Sequence, residues 1–132
     1  MPDVSLVATL VGTVLSFALG ALWYGPLFGK TWMAAVGLSM ATIRRDVDPA
    51  KAYGLTFVLG FIACYTFGLF IGPDPGRAFA IVAGGAAGVC LVATSLATNY
   101  LFEGRPPALI LINGGYHTLR FVLFGVAFAF LG

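Results

Sequence analysis

Asn113, His117 and Arg120 are the residues of this chain best equipped for chemistry, and they recur at spacings of four and three. On a helix such positions share one face. The apolar run that holds them, Ala108–Leu131, is long enough to cross a bilayer. It places Arg120 roughly 18 Å from its start, near the bilayer middle. A charge at that depth is costly, so Arg120 must face protein or water rather than lipid. His117 is the single histidine and could change charge near neutral pH. A polar stripe therefore runs inward from one membrane surface and ends at a cation.

Two further residues extend this stripe. Asn99 and Glu103 share a helical face by their four-residue spacing. If residues equidistant from the connection at 103–107 are level, Asn99 lies beside Asn113, Thr94 or Ser95 beside His117, and Leu91 beside Arg120. Glu103 then marks the mouth of the stripe. Tyr65, Ser16 and Thr13 are candidate partners for Arg120. Nothing here resembles a catalytic set. There are no paired carboxylates, no metal-ligand spacing and no nucleophile beside a base, although Glu103, His117, Tyr100 and Tyr116 could carry acid–base chemistry. No catalytic residue, metal or cofactor is assigned.

The elements that position these residues follow from composition. The chain is 60% hydrophobic and only 9% charged, where a soluble domain carries about 25% charged residues. The net charge of +2 comes from scattered loop residues, not from a basic patch, which excludes nucleic acid as a partner. Cys64 and Cys90 lie in apolar runs and read as small buried hydrophobes. Met1-Pro2-Asp3 leads straight into a span-length run without the basic start of a signal peptide.

Four spans are expected, at about 4–24, 52–72, 78–102 and 108–131, in one all-α membrane domain covering 1–132. Asp3 can cap the first span, and Gly25-Pro26 can end it. Asp48-Pro49 marks the start of the second, Pro73–Gly76 a turn, and Gly104 the cap of the third. Lys30, Arg44, Arg45, Lys51 and Arg105 fall on one side and Arg77 on the other. That bias predicts a bacterial inner-membrane protein with both termini outside the cytoplasm. Between the first two spans, residues 27–51 carry Phe28, Trp32, Val36, Met40 and Ile43 at helical spacing, an interfacial amphipathic segment in which Ser39 can cap a second piece. It serves as a lid, a docking element or, more simply, an anchor. Small residues at four-residue spacing (Gly12, Ser16 and Gly20; Ala80, Gly84 and Gly88; Gly68 and Gly72) mark faces for close helix packing. Beyond the lipid bilayer, a homo-oligomer or a partner membrane protein is expected on those faces.

Three segments carry a family resemblance: Ala21–Lys30 (ALWYGPLFGK), Thr98–Arg105 (TNYLFEGR) and Ile112–His117 (INGGYH). In order, spacing and placement they resemble the domain-of-unknown-function family 1761, small and mostly bacterial four-span membrane proteins. The resemblance implies the topology and no activity. It also gathers Trp23, Tyr24, Phe28, Asn99, Glu103, Asn113, Tyr116 and His117 in the inner half of the membrane, with Arg120 just beyond. The leading functional expectation is a non-enzymatic pocket between spans one, three and four, open to the cytoplasm. It would bind or pass a small polar or anionic ligand or a lipid headgroup. Glu103 would guard it, His117 would titrate and Arg120 would supply positive charge. The alternative is a structural or accessory subunit whose polar residues only fix packing, and a membrane enzyme comes third.

Overall fold

The computed structural model describes residues 3–132. Among them are six helices: α1 (Leu6–Leu27), α2 (Gly29–Val36), α3 (Met40–Asp46), α4 (Pro49–Ile71), α5 (Arg77–Glu103) and α6 (Pro107–Leu131). Helices α1, α4, α5 and α6 are each long and apolar enough to cross a membrane.

Most boundaries are local chemistry. The Asp48 carboxylate accepts from the Ala50 N–H at 3.1 Å, with Pro49 in the first turn of α4. Ser39 accepts from the Thr42 N–H at 3.2 Å and starts α3. Gly104 closes α5 with φ 68, a left-handed conformation glycine adopts without penalty. At the start of α1 the cap is Ser5, which accepts from the Ala8 N–H at 3.0 Å, and not the expected Asp3.

The first span does not stop at Gly25-Pro26. It widens into a π-helical turn over Trp23–Leu27, closed by the Phe28 N–H donating to the Trp23 carbonyl at 2.8 Å. The wider turn gives the proline ring the room that a regular turn denies it. A second wide turn, Gly88–Ala93, interrupts α5.

Helix α6 is the hub. It lies between α1 and α5, while α4 packs chiefly on α1 and only lightly on α5 and α6. The α5–α6 contact is backbone on backbone. A Cβ on Gly84 would strike the Phe121 carbonyl, one on Gly125 the Ala80 carbonyl, and one on Gly88 would lie 2.5 Å from the Thr118 Cα. In lipid, helices gain little by hiding apolar surface from one another, so such close van der Waals contact supplies the attraction. In the half of the bundle that carries the chain ends, Ala8, Cys64, Phe67, Phe124 and Phe128 form the buried core, seated against Gly12 and Gly68. Gly72 serves the turn after α4, with φ 78, and packs against nothing. Cys64 is buried as expected, whereas Cys90 is exposed.

Candidate functional site

Polar residues at the end of the bundle where α1 finishes and α6 begins form hydrogen bonds across three helices, among them a chain from Tyr24 through Asn113 to Tyr100. The wide turn of α1 aims two consecutive aromatic residues at α6. The Trp23 indole N–H donates to the Ile112 carbonyl at 2.9 Å, its ring seated over Gly115, where a Cβ would come within 3.1 Å. The Tyr24 hydroxyl donates to Asn113 Oδ1 at 2.5 Å, and Asn113 Nδ2 donates to the Tyr100 hydroxyl at 2.7 Å. Asn113 thus bridges α1 and α5 through two tyrosines. Deeper, the buried Tyr116 hydroxyl donates to the Ser16 carbonyl at 3.1 Å. The Tyr24 and Tyr116 rings meet edge to face with centroids 5.3 Å apart.

The expected register is replaced by another. Glycine contacts, not distance from the loop, set the slide of α5 on α6: Ala93 meets Gly114, and Gly88 meets Thr118. The wide turn Gly88–Ala93 also inserts about one residue, which rotates everything after it by about 100°. Tyr100 therefore faces α6 where a regular helix would present Asn99. Asn99 is exposed and takes no part in the chain. Glu103 is exposed at the helix end and pairs with Arg105 at 3.3 Å. Tyr100 is the residue that a regular-helix reading assigns to the wrong face, and no residue type in the sequence marks the extra turn.

Arg120 sits one turn beyond Tyr116. Its Nη1 lies 3.4 Å from His117 Nδ1, and its guanidinium carbon is 5.5 and 5.3 Å from the ring centroids of Phe121 and Phe124. Its Nε is buried without a hydrogen-bond partner. The candidate partners are otherwise engaged. Thr13 and Ser16 donate to the Thr9 and Thr13 carbonyls of their own helix, at 2.7 and 2.8 Å. Tyr65 stacks on Phe61.

The open space lies elsewhere than the sequence suggests. Between α1, α5 and α6, Trp23, Tyr24, Tyr100, Asn113 and Tyr116 are engaged in hydrogen bonds. On the other side of Tyr24 and Tyr116, α1 and α4 diverge, leaving a cleft of about 630 Å³. Phe17, Gly20 and Ala21 line its α1 wall, Tyr53 and Thr56 its α4 wall, and Tyr24 and Tyr116 its base. The lining is mainly apolar with a few hydroxyls, the make-up of a small-molecule pocket. Both base tyrosines have committed their protons, to Asn113 Oδ1 and to the Ser16 carbonyl, so any further hydrogen bond to their oxygens must be one they accept. The α2 segment packs over this end, with Trp32 edge-on to Tyr24 and Phe28 tilted against Trp23.

Residues 7–129 match the family model described as "Protein of unknown function (DUF1761)", a range that includes all three motif segments. No curated protein and no solved structure matches the chain.

Proposed function

The chain belongs to the DUF1761 family, and because that membership assigns no activity, we propose its function from the site: it binds an amphiphilic molecule in the cleft between α1 and α4. The cleft itself carries this reading. Its volume and apolar walls suit a hydrocarbon chain, and the hydroxyls of Tyr24, Tyr53, Thr56 and Tyr116 suit a polar head. Tyr53 is 65% exposed at its rim, so a ligand can enter sideways from the bilayer without crossing water.

The charged loops give a direction. Lys30, Arg44, Arg45, Lys51 and Arg105 fall at the end of the bundle where the cleft opens, and Lys51 directly precedes the lining residues Ala52 and Tyr53. If that end faces the cytoplasm of a bacterial inner membrane, as the positive-inside rule favours, each basic residue contributes about 1 kcal/mol of attraction for anionic lipid headgroups. A ligand with a polar or anionic head is then the natural occupant. In this reading the network of Trp23, Asn113 and Tyr100 holds the base rigid, His117 and Arg120 lie behind it, and Asn99 and Glu103 have no role in the cleft.

The test is native mass spectrometry of the protein released from native-lipid nanodiscs. A reproducible amphiphile adduct is expected on the wild type and on Leu22→Trp, which faces outward. It should be lost on Ala21→Trp, whose ring fills the cleft. An adduct that survives Ala21→Trp would overturn the reading.

A further inference from the structure

We propose that Arg120 is a docking point for a membrane-spanning helix of another protein that carries a carboxylate. Arg120 sits near the middle of α6, and guanidinium stays protonated in any protein environment. In this chain it has one long contact with His117 and two aromatic ring faces, and its Nε has no partner. No acidic group answers it. All five Asp and Glu residues lie at span ends or beyond them: Asp3 before α1, Asp46 and Asp48 between α3 and α4, Asp74 in the turn after α4, and Glu103 closing α5 against Arg105. A second copy of the chain has the same acids at the same depths, so self-association does not supply the missing charge.

The direction of approach follows from accessibility. Neither the α1–α4 cleft nor the smaller pocket beside Asp3 and Gly132 is lined by Arg120. Arg120 keeps part of its surface accessible, and the adjacent Leu119 is exposed, so α6 is not ringed by its neighbours at this depth. A carboxylate delivered sideways on a helix could answer this charge, since the terminal nitrogens of a guanidinium hold a carboxylate through two parallel hydrogen bonds. This surface is separate from the amphiphile cleft and does not depend on it.

The probe is a synthetic leucine–alanine membrane-spanning peptide with one central glutamate, compared with its glutamine twin. Association with the labelled full chain is read by energy transfer in liposomes. The glutamate peptide should bind the wild type about tenfold more tightly than the glutamine peptide, a ratio worth 1.4 kcal/mol. That preference should persist in Arg120→Lys, vanish in Arg120→Leu and Arg120→Gln, and vanish on the wild type when the glutamate is moved to the peptide's end. Equal binding of the two central peptides overturns the proposal, as does a preference that survives loss of the charge. If the peptides do not discriminate but chloride in place of gluconate raises the Tm of the wild type and not of Arg120→Gln, the missing charge comes from a free anion, and the docking proposal fails. The wild-type comparisons decide the matter even if the uncharged variants do not fold.

Discussion

The two long seams of this bundle are closed in different ways. Between α5 and α6 the backbones themselves touch, through Gly84, Gly88 and Gly125. Between α1 and α4 the contacts are side chains: Gly12 meets the Cys64 sulfur, Gly60 meets Thr13 and Ser16, and the Phe17 ring lies edge to face on Tyr53 and Phe57. Inward of Phe17 the pair parts to form the cleft. A backbone contact cannot yield to an added atom, whereas a side-chain contact can, so the first seam is rigid and the second adjustable. The candidate site lies where the adjustable seam opens, against a base held by the rigid one.

Four sets of substitutions probe this contrast, from the largest effect to the smallest. Gly88→Val should break the α5–α6 seam, because its Cβ would lie 2.5 Å from the Thr118 Cα. A loss of roughly 3 kcal/mol is expected, at the upper end of overpacking costs, read by reversible unfolding in mixed micelles. A loss below about 1 kcal/mol would mean that this seam is as soft as the other.

Asn113→Leu removes the bridge between Tyr24 and Tyr100 and leaves both hydroxyls without that partner. The cost should be about 1–2 kcal/mol, and Tyr100→Phe should reproduce about half of it. Asn99→Leu should change nothing measurable. If Asn99→Leu matched Asn113→Leu instead, the α5 wide turn would not exist in the membrane.

Gly12→Ala meets the Cys64 sulfur at 2.7 Å and the Phe124 ring at 3.3 Å, both side-chain atoms that can move aside. About 1 kcal/mol is expected. Gly60→Ala, with its nearest neighbour at 3.6 Å, should fall within about 0.5 kcal/mol of the wild type. If the two α1–α4 changes cost as much as Gly88→Val, the contrast between the seams is lost.

The sequence reveals whatever is written locally. Four apolar runs, the cap at Asp48-Pro49, the Ser39 start and the Gly104 stop all depend on a few adjacent residues, and each is found where it is expected. The residues of the polar chain were partly legible too: Trp23, Tyr24, Asn113 and Tyr116 stand together as the three motifs imply. What could not be read depends on relations between helices. The slide of α5 along α6 is decided by glycines on both partners. The wide turn at Trp23–Leu27 is built around Pro26, but the one at Gly88–Ala93 carries no distinguishing residue pattern, and it is the one that exchanges Asn99 for Tyr100. The cleft is a place where two helices fail to meet, and no single helix encodes that.

The position of α6 as hub has a consequence for synthesis. The ribosome makes α1 first of the six, yet its hydrogen-bond partners Ile112, Asn113 and Tyr116 are all on α6, which emerges after the other five. The tight α5–α6 pair can form as soon as its short connection clears the translocon. Until then α1 has only α4 beside it, and Trp23 and Tyr24 wait without their acceptors. The floor of the cleft is therefore the last part of this protein to be built, and a chain released before α6 is inserted has none.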